Sequence, residues 1–173
     1  TLNFGVVYGM GSRSFAKVAG VKPEEAKIFI ANYFKEFSAV REWQERIKAE
    51  ARDAGIVRNL NGRLRRIPAI RYGASREASE AERIAINMPI QSLEADIIKL
   101  AMIQISDVLE KNNSWKENAR LLLSIHDELL FEVRSDMIKE VAPRIREIME
   151  SVYIQSVPFV VNVKQGENLA ELF

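Results

Sequence analysis

The sequence predicts an α+β fold in which helices pack on a small antiparallel sheet. Apolar residues recur at helical spacing over much of the first 110 positions, and two short apolar runs of strand length follow after position 120. Because the strands cluster late in the chain instead of alternating with helices, we expect an antiparallel sheet of roughly three or four strands.

Two helices are predicted in the first third of the chain. Pro23 is followed by two acids, which favours a helix start because proline suits the first turn and carboxylates suit the positive end of the helix dipole. A second helix is expected from about Ser38, with an apolar stripe along one side, and Gly55 would end it.

The segment from 56 to 72 loses this periodicity and is predicted to be a loop or a small hairpin. The slightly longer stretch from Gly55 to Arg76 contains no lysine and no acid. Its arginines are Arg58, Arg63, Arg65, Arg66, Arg71 and Arg76. A solvated loop is the alternative, but clustered arginines repel each other and become favourable opposite phosphates, so phosphate binding is the favoured interpretation.

A third helical pattern begins near Ser75 and runs to Asn87. Pro89 is expected to interrupt it, because proline lacks the N–H group that a helix interior requires. The pattern then restarts and continues to a polar loop at 111–118.

Two apolar runs at 121–125 and 129–133 predict a β-hairpin with a tip formed by His126, Asp127 and Glu128. A two-residue turn needs positive φ, and a His-Asp turn is not the usual choice, which marks this tip as a place to look for function. A helix at about 137–152 and a last strand at 159–163 are expected to follow.

Adjacent carboxylates at the hairpin tip are hard oxygen ligands that suit Mg²⁺ or Mn²⁺. Spacing alone favours the plainer alternative, in which Asp127 and Glu128 are simply solvated acids in a turn. Ser124, His126 and Asp127 cannot form a hydrolase triad, because neighbouring residues of a strand point to opposite faces.

Two further groups of residues are candidates for nucleic-acid contact. Phe4 and Tyr8 would share a face of a helix, where they serve either as core or as a platform for stacking bases. Arg83, Asn87 and Gln91 recur every four residues and would align polar heads that reach minor-groove acceptors, although such triplets also occur on solvated helices.

Composition excludes several classes of function. There is no cysteine, which removes thiol nucleophiles and iron–sulfur clusters, and the single histidine leaves carboxylates as the main metal ligands. The net charge of +1 predicts no particular partner. No apolar run of membrane-spanning length occurs and cysteine is absent, so we expect no membrane association and a cytoplasmic location.

The sequence resembles the C-terminal part of the family A DNA polymerases, the bacterial DNA polymerase I group. Residues 1–10, which include Tyr8-Gly9, look like the end of the family's fingers motif. Residues 82–91, followed by 95–99, are similar to its primer–template helix pair, and residues 124–129 look like the palm motif with the second catalytic aspartate.

The resemblance implies a role for each matched residue in templated transfer of deoxynucleotides to a primer 3′-hydroxyl, in DNA replication or repair. Asp127 would be a metal ligand of a two-Mg²⁺ site with Glu128 beside it, and deoxynucleoside triphosphates and primer–template DNA would be the partners. The residues that would contact the nucleotide are Phe4 and Tyr8, and those that would contact the DNA are Arg83, Asn87, Gln91 and His126. The parent protein is expected to be monomeric.

The resemblance also implies that residues 1–73 are mainly part of a fingers subdomain with the arginine-rich loop, and that residues 74–173 are part of a palm. The motif with the first catalytic aspartate and the arginine and lysine that hold the triphosphate would precede Thr1. We therefore expect a fragment that does not extend primers by itself. The alternatives are a non-catalytic, polymerase-derived primer–template binding module and a helical protein-interaction domain.

Overall fold

The computed structural model describes residues 2–153 and 156–172, and over these residues the predicted α+β class is confirmed. The helices are α1 (Leu2–Val7), α2 (Ser12–Ala19), α3 (Pro23–Glu36), α4 (Ser38–Ala54), α5 (Ala69–Tyr72), α6 (Ser75–Lys111) and α7 (Ile138–Ser151). The strands are β1 (Ile56–Arg58), β2 (Leu64–Arg66), β3 (Ala119–Ile125) and β4 (Glu128–Val133). No helix in the described part of the chain has both the length and the apolar character needed to cross a membrane.

The chain divides into two compact units, Thr1–Leu93 and Glu94–Phe173. In the first unit, one core lies between α1, α2 and α3, and a second core forms where α4, the β1–β2 hairpin, α5 and the first part of α6 meet. In the second unit, a single core lies between the later part of α6, the β3–β4 hairpin and α7.

The first predicted helices begin and end where the sequence signals lie. Pro23 opens α3, and the backbone N–H of Lys22 donates to Oε2 of Glu25 at 3.2 Å, which satisfies one of the free donors at the helix start. Gly55 ends α4 with φ 70°, and its N–H donates to the carbonyl of Ala51 at 2.8 Å. Local chemistry therefore determines these boundaries.

The segment from 56 to 72 forms a small hairpin, one of the two predicted alternatives, followed by α5, which the sequence did not predict. Strands β1 and β2 pair antiparallel with Val57 opposite Arg65. The tip is held by Asn59, whose Oδ1 accepts the N–H groups of Asn61 at 3.0 Å and Arg63 at 2.9 Å. The side chain of Asn59 is buried, so the tip is anchored to the unit beneath it.

The predicted interruption at Pro89 is wrong, because α6 is continuous over 37 residues. Proline removes one hydrogen bond from the helix interior, but the helix is packed on both sides of it. Ala85 and Met88 lie in the core of the first unit, and Ala101 and Ile105 lie in the core of the second. The burial of these residues offsets one missing bond in so long a helix.

The predicted β3–β4 hairpin and α7 are confirmed, and together they close the second core. Ala119 on β3 is buried, and Phe131 and Val133 on β4 pack against the core. From α7, Val141 and Ile148 complete it, at 0% and 4% exposure. A helix that presents two apolar positions two turns apart thus covers one face of the hairpin.

The predicted last strand at 159–163 and the expected sheet of three or four strands are wrong. Among the described residues the strands form two separate two-stranded sheets, and residues 156–168 adopt no regular structure. An apolar run becomes a strand only when a neighbouring strand accepts its backbone hydrogen bonds. Here the N–H of Val161 donates to Oε1 of Glu150 on α7 at 3.0 Å instead.

This contact makes the attachment of the C-terminal segment depend on pH. The hydrogen bond from the Val161 N–H, and then the one from Arg146, hold the pKa of Glu150 below its ordinary value. Because the pKa is lowered, the hydrogen bond from Val161 to the ionised Glu150 contributes fully above the pKa of an ordinary glutamate. Its contribution is lost as the pH falls through the lowered pKa of Glu150. We expect hydrogen exchange at the Val161 amide, corrected for the intrinsic pH dependence of exchange, to become faster over that interval.

The Glu150→Ala variant, which removes the acceptor, should show fast exchange at Val161 at every pH, whereas Glu140→Ala, an exposed change on the same helix, should behave as the unaltered protein. Exchange at Val161 that is independent of pH in the unaltered protein would contradict the assignment.

Candidate metal and nucleic-acid interface

The tip of the β3–β4 hairpin is a two-residue loop, as the sequence predicts. Ile125 pairs with Glu128, so that His126 and Asp127 form the loop between them. His126 has φ 55° and is the only residue other than glycine with positive φ among the described residues. Such a conformation costs a non-glycine residue about 1–2 kcal/mol. The turn therefore holds the backbone of His126 in a conformation that a glycine would adopt at lower cost.

The three tip residues His126, Asp127 and Glu128 are all exposed. Neither carboxylate takes part in an ion pair with another residue that the structure describes. Below the tip, Nε of Arg120 donates across the strands to Oε2 of Glu132 at 2.5 Å, and the Arg134 N–H donates to the Asn118 carbonyl at 2.8 Å. The base of the hairpin is thus fixed, and the carboxylates at its tip remain open to a ligand.

These carboxylates fit part of a metal site. Mg²⁺ usually takes one or two protein carboxylates and completes its shell with water and phosphate oxygens, which Asp127 and Glu128 together allow. Among the described residues there is no group of three or more His, Asp or Glu side chains that could hold an ion by themselves. By itself the tip therefore offers two carboxylates, fewer than the three side chains of such a group.

Arg83, Asn87 and Gln91 all lie on α6, at the spacing that the sequence predicts. Arg83 and Gln91 are exposed. The Oδ1 atom of Asn87 is buried and has no hydrogen-bond partner among the described residues. Leaving such an acceptor unpaired costs about 1–3 kcal/mol, which makes Asn87 an unusual position on this helix.

Phe4 and Tyr8 lie together at the chain start, as expected for residues four apart. Their ring centroids are 6.4 Å apart with an interplanar angle of 18°, and the Tyr8 N–H donates to the Phe4 carbonyl at 2.9 Å. Phe4 is 67% exposed and Tyr8 is half-buried, so a large part of the Phe4 ring faces solvent.

The chain directly after this aromatic pair passes close to α6. Gly9, directly after Tyr8, has φ 81°, and a Cβ atom there would lie 3.1 Å from Cδ1 of Ile86 and 3.5 Å from Cγ of Arg83. The chain can approach the helix this closely because glycine has no side chain and tolerates positive φ. Within the first unit, Gly9 and Arg83 are therefore neighbours.

Gln44 holds the end of α1, the helix that carries Phe4, and it was not identified from the sequence. It is 5% exposed on α4, and its Nε2 donates to the carbonyls of Val6 at 3.3 Å and Val7 at 2.7 Å. These are carbonyls at the end of α1, which have no partner inside the helix. A signal was available, because Gln44 is the one polar residue in the stripe Val40, Gln44, Ile47, Ala51.

The predicted residues divide between the two units. Phe4, Tyr8, Arg83, Asn87 and Gln91 lie in Thr1–Leu93, and His126, Asp127 and Glu128 lie in Glu94–Phe173. The first unit therefore carries the aromatic pair and the polar residues of α6. The second unit carries carboxylates on a fixed hairpin.

Comparison with known proteins identifies the family. The sequence pattern of DNA polymerase family A matches residues 1–171. This chain therefore belongs to DNA polymerase family A.

Its relatives include thermostable DNA polymerase I of Thermus aquaticus, 40% identical over 168 residues that cover 97% of this chain and 20% of that protein. DNA polymerase I of Pseudomonas aeruginosa is 40% identical over 172 residues, which cover 98% of this chain and 18% of that protein. The chain thus spans about a fifth of the length of these curated relatives.

A solved structure has the same fold. The polymerase domain of Pol1 from M. smegmatis, in complex with DNA primer–template and dNTP, superposes with a TM-score of 0.84 at 34% identity. The match covers 91% of this chain and 27% of that one.

Proposed function

We propose that this chain is part of a DNA-directed DNA polymerase, which transfers deoxynucleotides from triphosphates to a primer 3′-hydroxyl as the template directs. The observation that carries the proposal is the hairpin tip, where exposed carboxylates stand next to a histidine held at φ 55°. Family membership supports the reaction, and the tip supplies the kind of side chain that phosphoryl transfer needs.

In this proposal Asp127, with Glu128 beside it, holds divalent metal ions. Two such ions, when bound, activate the primer hydroxyl and stabilise the leaving pyrophosphate. The hairpin keeps the two carboxylates in place through its paired strands, so that they need no rearrangement to bind cations. A further carboxylate ligand for the two ions would come from outside the described residues.

The first unit would position the nucleic acid. Phe4 presents its exposed ring to the incoming nucleotide, and Tyr8 lies beside it near the templating position. Arg83, Asn87 and Gln91 donate hydrogen bonds to minor-groove acceptors that all base pairs share, which checks the shape of the primer terminus without reading its sequence. His126 would contact the primer–template from the second unit.

We also propose that residues 1–73 are mainly part of a fingers subdomain and residues 74–173 part of a palm. Primer–template DNA, deoxynucleoside triphosphates and Mg²⁺ would be the ligands of a monomeric parent protein.

An exchange of segments tests the catalytic proposal. Residues 2–170 of this chain would replace the matching segment of the T. aquaticus polymerase, and primer extension would be measured with Mg²⁺ present and after its chelation. We expect templated, Mg²⁺-dependent extension. A hybrid that keeps its helical content and binds primer–template but does not extend the primer would contradict the proposal.

A non-catalytic primer–template binding module is the second candidate. It is favoured by the absence, among the described residues, of any group of three metal-binding side chains. If this is correct, the chain should bind primer–template with the same affinity whether or not Mg²⁺ is present, and the hybrid should not extend.

A further inference from the structure

We propose that Met10 is a positioning residue for the reaction, because its side chain closes the turn at the end of α1 and thereby sets where the Tyr8 ring lies. The inference rests on the proposed function, in which Tyr8 lies near the templating position. Met10 acts through the backbone that carries Tyr8, and it does not itself touch the nucleotide or a metal ion.

The end of α1 forms a Schellman motif, a turn that satisfies the last carbonyls of a helix. The N–H of Met10 donates to the carbonyl of Gly5 at 2.7 Å, and the N–H of Gly9 donates to the carbonyl of Val6 at 3.1 Å. Gly9 has φ 81°, the left-handed conformation that this motif needs directly after the cap residue. Tyr8 is that cap residue, so both hydrogen bonds constrain its backbone.

Met10 also supplies the apolar contact that commonly completes such a motif. This contact joins the residue after the turn to the last turn of the helix. A Cβ atom at Gly5 would lie 2.6 Å from Cε and 3.0 Å from Sδ of Met10, so the thioether lies directly on the backbone of Gly5. A side chain at position 5 would need the space that the thioether fills.

The same side chain joins the turn to the core of the first unit. Met10 is half-buried and packs against the core cluster of Val6, Phe15, Ala16 and Ala26. An unbranched methionine with three rotatable bonds suits a place where it must cover a helix backbone and fill a gap in a core. The turn is therefore held from outside as well as by its own hydrogen bonds.

The direction of the Tyr8 ring depends on this turn. The Tyr8 hydroxyl has no hydrogen-bond partner among the described residues, so only the backbone and packing orient the ring. Phe4 and Tyr8 directly precede Gly5 and Gly9, which both take part in the motif. A change in the turn should therefore move Tyr8 relative to Phe4.

The first measurement is hydrogen exchange at the Gly9 and Met10 amides of the 173-residue chain, followed by NMR. Met10→Ala should make exchange at both amides about tenfold faster, the effect of losing one partly buried apolar contact. Gly5→Ala should also make it faster, because the new Cβ displaces the thioether, although alanine favours a helix over glycine. In the Met10→Ala background Gly5→Ala should cause no further increase, since the remaining Cβ of residue 10 lies 3.5 Å away.

The second measurement is insertion of a single nucleotide by the hybrid polymerase, with kcat/KM determined for the correct nucleotide and for a mismatched one. In Met10→Ala, kcat/KM for the correct nucleotide should fall about tenfold, since misplacement by about 1 Å can cost about 10²-fold. The value for the mismatched nucleotide should fall less. A smaller folded fraction would lower both values equally, so their ratio separates positioning from a loss of stability.

Ile30→Ala is the matched control, because Ile30 lies on α3 and packs against the same core as Met10. It should lower the stability of the unit and leave the ratio unaltered. Met10→Leu keeps an apolar side chain of similar volume, so it should retain the ratio of the unaltered hybrid. Gly11→Ser adds a Cβ with nothing within 4 Å and keeps a good cap for α2, so it should change neither measurement.

An unaltered ratio in the Met10→Ala hybrid would overturn the inference, and so would unaltered exchange at both amides in Met10→Ala and Gly5→Ala. In these cases the extension by the unaltered hybrid would still support the proposed function. If the unaltered hybrid does not extend primers, the proposed function is contradicted, and the role of Met10 in the reaction is contradicted with it.

Discussion

Replacing Asp127 by Asn should reduce extension by the hybrid polymerase about 10²- to 10³-fold or more, a loss typical when one group that stabilises transition-state charge is removed. The amide keeps the shape of the side chain but removes the negative charge that holds a cation. Because Asp127 is exposed at the hairpin tip, thermal unfolding should remain as in the unaltered hybrid.

The control for this change is Asp107→Asn. Asp107 is an exposed aspartate on α6 that forms an ion pair with Lys111 at 3.4 Å, and its replacement removes the same charge away from the tip. Extension should be unaffected by it. If Asp107→Asn and Asp127→Asn lower the rate equally, the tip has no special role in catalysis.

Replacing Gln44 by Leu should destabilise the first unit by about 1–3 kcal/mol, because the carbonyls of Val6 and Val7 lose the donor that satisfies them. The unit should unfold at lower urea concentration. Hydrogen exchange in α1 should also become faster, since Gln44 is what ties the end of that helix to α4. Mass spectrometry of the peptide that covers residues 2–10 would show this.

Gln104→Leu is the matched change, because Gln104 is exposed on α6 and lies in the other unit. It should leave exchange in residues 2–10 unaltered. Unchanged exchange and stability in Gln44→Leu would show that solvent satisfies these carbonyls equally well. In that case Gln44 would not position the aromatic pair.

Elements governed by neighbours in sequence were predicted well. Pro23 and Gly55 set helix ends through their own backbone preferences, which do not depend on the rest of the fold. The β3–β4 hairpin was also predictable, because two apolar runs separated by three polar residues leave few registers that bury one face. The spacing of Arg83, Asn87 and Gln91 needed only the period of a helix.

Elements that depend on distant partners were predicted poorly. The apolar run at 159–163 has the composition of a strand, but Glu150 takes the N–H of Val161 and no strand among the described residues pairs with it. Pro89 would end an isolated helix, whereas packing against two cores keeps α6 continuous. In both places tertiary contacts outweigh the local preference.

The sequence by itself determined the fold class, the hairpin with Asp127 at its tip and the resemblance to family A polymerases, because these depend on residue type and short spacing. Only the tertiary structure showed that Asn87 has a buried oxygen without a partner among the described residues, that Gly9 lies against Arg83, and that Gln44 holds the end of α1. It also showed that Nε of Arg71 donates to the carbonyl of Arg52 near the end of α4, whereas Arg65 and Arg66 are exposed. Such distinctions depend on which atoms meet across the fold, and spacing along the chain does not contain that information.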